Sequence, residues 1–273
     1  MLFDVRSQAV VDKMSRMSAR IDWQPRSPVL SARGLSKSFA RGLVASPLRS
    51  HALHSVDIDL CGGELVGLAG ERGAGKTTLI QCLCGLLRRD TGRIELSGDP
   101  LPSGDFSGTL AYVPASPVFY PFLTVRDVIQ FGAARRSAHV RPAAAAEMTM
   151  RALGLQRLAG CQVKALARDM LHRVAVGEAI AGNPEVILVD TPPTESARSI
   201  APAVLTALER CTNAGAAVMI ATREASAVAC VATRIILLES GRMSRTFALE
   251  SFGEPIVGPS STPRHRFVAE RMH

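Results

Sequence analysis

The chain has 273 residues, enough for one large α/β domain or two small ones. Its 47% hydrophobic and 4% aromatic content marks an Ala/Leu/Val-rich globular protein rather than a disordered one. With 32 basic and 24 acidic residues the net charge is +8, yet aromatics for base stacking are scarce and no basic-aromatic module appears, so nucleic acid is not an expected partner. Six cysteines without a C-x-x-C pair and six histidines without an H-E-x-x-H cluster point to a reducing compartment, with neither disulfides nor zinc. No stretch approaches the roughly 18 uninterrupted apolar residues that cross a bilayer. The N-terminus carries Asp4 and Asp12 and lacks an apolar core, so it does not read as a signal peptide. Work at a membrane would require another subunit to span it.

In chain order, residues 1–27 read as a tail, with Val10, Met14, Met17 and Ile21 on one helical face: a loosely docked helix, or one that binds a partner or lipid. Pro25 and Pro28 mark the boundary. Val29–Phe39 and Ala52–Leu60 read as strands, the second through the alternation Val56-Asp57-Ile58-Asp59-Leu60. Leu65–Ala69 is a buried strand by its apolar run, and a helix follows to about Gly85. Ile94–Leu96 and Ala111–Val113 are further short strands. From about 116 to 182 the chain turns helix-rich, its last helix running from about Asp169 to Ala181 and stopped by Gly182-Asn183-Pro184. Val186–Asp190, Ala216–Ala221 and Ile235–Leu238 are buried strands, with a helix over Val204–Cys211. After about Gly258 the composition is Ser/Pro/basic, expected of a loose tail. The expected division is 1–27 tail, 28–258 domain with helical part 116–182, and 259–273 tail.

The chemistry is concentrated in Gly70-Glu71-Arg72-Gly73-Ala74-Gly75-Lys76-Thr77-Thr78, which fits G-x-x-x-x-G-K-[ST] between a strand and a helix. Glycines let backbone N–H groups wrap a polyphosphate, and the helix presents its positive end to it. Lys76 can reach β- and γ-phosphates, and the Thr77 hydroxyl can ligate Mg²⁺. Such a loop works with an acid at the end of a nearby strand. Asp190, closing an apolar strand at its carboxyl end, takes that place.

Taken together, the elements from about Val29 to Met243 resemble the nucleotide-binding subunit of an ATP-binding cassette (ABC) transporter, over about four-fifths of the chain. The match is gapless from Leu166 to Pro192. The resemblance implies a P-loop NTPase core with a mainly parallel sheet, an antiparallel β subdomain and a helical subdomain, using ATP and Mg²⁺. It places Phe39 where the family stacks adenine, Phe122-Leu123-Thr124-Val125 after the glutamine loop, and Val218–Thr222 before the switch histidine.

The departures from the family pattern are systematic. Ala115 stands where the family has its lid glutamine, and Leu166-Ala167-Arg168-Asp169 where the signature reads Leu-Ser-Gly-Gly. Thr191 replaces the general-base glutamate, and Arg223 the switch histidine. Thr191 has no carboxylate to orient water, a role worth roughly 10²- to 10⁴-fold in rate. Arg223 stays charged and cannot switch near neutrality. The nucleotide-binding positions (Phe39, Gly70, Gly73, Ala74, Gly75, Lys76, Thr77, Thr78) and the metal pair Thr77 and Asp190 are kept.

The resemblance implies a cytoplasmic subunit, peripheral to the membrane through a membrane-spanning partner met around Ser116–Phe131. It also implies head-to-tail pairing with another nucleotide-binding subunit or with itself. Either pairing leaves both shared sites damaged. ATP is then expected to act as a structural or regulatory ligand, and Arg223 reads either as a charge clamp on the γ-phosphate or as a solvated loop arginine. Two other readings stay open: an active ATPase using Glu195 or Glu224 as base, and a soluble nucleotide sensor without a transporter.

Overall fold

The computed structural model describes residues 27–41, 48–101, 109–136, 141–192, 200–250 and 266–270. Residues 1–26, with the expected amphipathic helix, and Glu195 lie outside them.

Among the described residues, two sheets and five α-helices build three layers. Strands β1 (Pro28–Arg41), β2 (Leu48–Cys61), β4 (Thr91–Leu96) and β5 (Asp99–Pro100) form an antiparallel sheet in the order β2-β1-β4-β5. The central sheet runs β11-β10-β9-β3-β8-β7-β6. Its strands are β3 (Leu65–Ala69), β6 (Leu110–Val113), β7 (Val186–Asp190), β8 (Ala217–Thr222), β9 (Arg234–Glu239), β10 (Arg242–Glu250) and β11 (Arg266–Glu270). Strands β6, β7, β8, β3 and β9 are parallel, and β10 and β11 add an antiparallel edge. The helices are α1 (Lys76–Leu83), α2 (Val125–Arg136), α3 (Pro142–Ala152), α4 (Arg168–Ile180) and α5 (Pro202–Asn213).

Every residue of β3, β7 and β8 is buried, as parallel strands covered on both faces must be. Alternation along each strand feeds two separate cores. Ile187, Val189, Val218 and Ile220 join an apolar cluster with Val128, Ile129, Met150, Val174, Val176 and Leu208 of the helices. Val186, Leu188, Met219, Val66 and Leu68 join a second cluster with Leu79, Ile80 and Leu83 of α1 and with Leu30, Leu35, Leu53 and Val56 of the antiparallel sheet. Helix α1 thus sits between the two sheets, while α4 lies against the opposite face of the central one. The strand ends nearest these helices carry the site.

The expected strands and helices occur within a few residues of their sequence positions, and β7 matches residue for residue. Two differences are physical. Sequence composition gave no cue for β10, which follows the Ser240-Gly241 turn and pairs with β9. Nor was β11 expected: the supposed loose tail after Gly258 contains Arg266–Glu270, paired antiparallel with Thr246–Glu250. A strand added to an open edge takes its hydrogen bonds from the neighbouring strand, and local composition does not announce that partner.

Candidate functional site

The phosphate loop leaves β3 and enters α1 at Lys76, with Gly75 in the left-handed region at φ 104°. A Cβ on Gly75 would come 2.5 Å from the Ala52 carbonyl oxygen, and one on Gly70 would strike the Leu238 carbonyl. Only glycine fits these two positions, because backbone approaches from β2 and β9 with no room for a side chain. The loop is further pinned by Gly241 N–H donating to Ala74 O at 2.9 Å, and its helix opens with Leu79 N–H to Gly75 O at 2.8 Å. Helix α1 has no side-chain N-cap and no acid in its first turn, so nothing in it competes with an anion for its free N–H groups.

Lys76 folds its Nζ over the loop, donating to Gly70 O at 2.7 Å and Glu71 O at 2.8 Å. Burial lowers its pKa; the Asp190 carboxylate opposes this, and the Arg223 charge adds to it. The Thr77 hydroxyl donates to Asp190 Oδ2 at 2.7 Å. Asp190 is 4% exposed, and burial raises its carboxyl pKa, against the Thr77 hydrogen bond and the Lys76 charge. A buried carboxylate beside a threonine hydroxyl is a hard-oxygen pair suited to Mg²⁺. The glycine cradle and the lysine suit the polyphosphate that would bring it. The residues present therefore fit a Mg-nucleotide.

The sheet register explains how distant residues meet. Ala69 pairs with Thr222, and Ala221 with Asp190, so β3, β8 and β7 end side by side. Arg223, the residue after β8, stands between the strand leading into the loop and the strand ending in the acid. It is exposed. Thr191 follows Asp190 and is tied to β8: its N–H donates to Ala221 O at 3.2 Å, and its hydroxyl to the same oxygen at 2.8 Å. That hydroxyl proton is committed to a backbone carbonyl.

The stretch from Leu166 to Asp169 leads into α4 on the helical side. Ala167 is the extended N-cap of α4 and makes no side-chain capping bond; Arg168 starts the helix and Asp169 lies in its first turn. All three are exposed, while Leu166 packs against the helical core. A carboxylate in the first turn neutralises the helix's positive end and would repel a phosphate approaching it. Ala115 lies just beyond β6 and brings no ligating atom.

Phe39 on β1 is 39% exposed, with Lys37 Nζ 5.5 Å from its ring centroid. Its register partner on β2 is Ser50, two residues before the Ala52 carbonyl that meets the loop. Asp90 orders this segment, accepting from Ser38 N–H at 2.7 Å, Ser38 Oγ at 2.6 Å and Lys37 Nζ at 2.9 Å. Asp90, bonded to the segment before Phe39, and the buried His172 of α4, 3.0 Å from Asp190 O, are residues that sequence reasoning missed. A lone histidine or aspartate carries no motif, and no spacing rule could have singled them out.

A family model described as ABC transporter matches residues 53–194, just over half the chain. The chain is 33% identical over 232 residues to the hemin import ATP-binding protein HmuV of Nocardia farcinica, covering 80% of this chain and 79% of that protein. It is 28% identical over 228 residues to the molybdenum import ATP-binding protein ModC of Mycobacterium tuberculosis, covering 78% of this chain but 60% of that one. In fold it is similar to the dimeric structure of a bacterial ABC transporter cassette, with a TM-score of 0.70 at 21% identity over 80% of this chain and 97% of that chain.

Proposed function

The chain belongs to the ABC transporter family as an ATP-binding subunit, and from that premise we propose that it binds Mg-ATP without turning it over at an appreciable rate. Phe39, the Gly70–Thr78 loop and the Thr77–Asp190 pair hold the nucleotide and its metal; bound Mg²⁺ would neutralise charge between the phosphates. Hydrolysis further needs a group that orients water, and the residue after Asp190 is a threonine whose hydroxyl is given to Ala221 O. That single observation carries the reading. The exposed Asp169 in the first turn of α4 supports it, since a partner's γ-phosphate would meet a carboxylate there.

ATP then serves as a structural ligand that stabilises pairing with another nucleotide-binding subunit or a second copy of this chain. The membrane-spanning partner docks on the exposed apolar surface of Val118, Tyr120, Phe122 and Phe131, where the Tyr120 and Phe122 rings stack at 5.7 Å. Among the described residues no helix is long and apolar enough to cross a membrane. Purified protein should bind ATP at sub-millimolar concentration and release phosphate no faster than a Lys76→Ala control. Turnover well above that control overturns the proposal in favour of an active ATPase. Failure to copurify with any multi-span protein in detergent favours a soluble sensor.

A further inference from the structure

Asp190 is gripped from both layers of the protein. Its carboxylate accepts from Thr77 at the start of α1. Its main-chain carbonyl oxygen lies 3.0 Å from Nε2 of His172, on the second turn of α4 and on the other face of the sheet. A carbonyl can only accept, so His172 carries its proton on Nε2. The ring is 7% exposed, which favours that neutral form. At this point β7 ends. Thr191 fastens the departing chain sideways to β8, and the imidazole is the support from the helical face.

We propose that His172 is a positioning residue for the metal site: its Nε2–H holds the Asp190 carbonyl, and so holds the carboxylate where, with Thr77, it meets the Mg²⁺ of a bound nucleotide. This rests on the Mg-ATP reading above. It also ties the metal acid to the exposed Ala167–Asp169 turn, one helical turn earlier on α4. A support of this kind acts on the metal-dependent part of nucleotide affinity and leaves the metal-free part, carried by the loop and Lys76, nearly unchanged.

The test is ATP titration of the full chain with excess Mg²⁺ and with excess EDTA, on wild type, His172→Leu and His172→Gln. The expected result is a roughly 10-fold loss of the Mg²⁺ enhancement in His172→Leu, with little change in EDTA. His172→Gln, whose amide N–H can donate to the same carbonyl, restores most of it. If the leucine variant fails to fold, His172→Met takes its place as the non-donor. A leucine or methionine variant with full Mg²⁺ enhancement overturns the proposal, as does equal weakening with and without Mg²⁺ in the non-donor and glutamine variants alike. A wild type showing no Mg²⁺ enhancement overturns the functional reading itself, and the two failures are thereby told apart.

Discussion

Thr77 and Asp190 are 113 residues apart in the chain and 2.7 Å apart in the fold, joined by a hydrogen bond from hydroxyl to carboxylate. The bond places the Thr77 hydroxyl against the buried acid of β7, where on the proposed reading the two would share one cation. Replacing Thr77 by Val or Asp190 by Asn should weaken ATP binding roughly 10- to 100-fold in Mg²⁺, the scale of a lost hydrogen bond to a charged group. Binding in EDTA should change much less. Calorimetric titration in the two buffers checks this, and equal losses in both would show the pair to be structural only.

On the proposed reading, Thr191 stands where a hydrolysing site would need a base. Because its hydroxyl is bonded to Ala221 O, Thr191→Ala should leave phosphate release at background while costing about 0.5–1.5 kcal/mol of stability, the worth of one ordinary hydrogen bond. A chemical denaturation curve and a phosphate assay on one preparation separate the two effects. A drop in phosphate release below the wild-type level would contradict it.

Arg223 lies at the junction of β3, β8 and β7, and its charge is felt by Lys76. As a clamp on the terminal phosphate it should discriminate ATP from ADP. Arg223→Ala is expected to lose about 10-fold in ATP affinity, with ADP affinity moving far less. Equal affinities for variant and wild type would remove the role.

Asp90 supplies a pH signature. Its carboxyl pKa is lowered to about 2, first by the Ser38 hydroxyl and then by Lys37 and the Ser38 N–H. A group with a depressed folded pKa stabilises the fold above its unfolded value, about 4, and loses that contribution as pH falls toward about 2. Asp90→Asn should therefore be less stable than wild type at pH 7, and the gap should be much narrower at about pH 2 than at pH 7. Urea midpoints at the two pH values measure it; a constant gap would mean that the hydrogen bonds, and not the charge, carry the effect.

How far the chain could be read without coordinates differs from element to element. The glycine turn from β3 into α1, β3 itself and β7 were legible because their signals are local: glycines where backbone must approach backbone, and unbroken apolar runs where a parallel strand is buried on both faces. At Ala115, Arg168, Asp169, Thr191 and Arg223 the sequence states only each side chain's own donors and charge, which do not depend on its neighbours. Tertiary structure alone decided the rest. Register across β3, β8 and β7 brings the strand ends together so that the Arg223 charge bears on Lys76, a fold-level meeting of strands written in no single one of them. The carbonyl that occupies the Thr191 hydroxyl, the imidazole beneath Asp190 and the carboxylate that orders Phe39's strand are partners supplied from 30, 18 and 52 residues away. A hydrogen bond needs its two ends within about 3 Å, and only the packed layers bring such ends together.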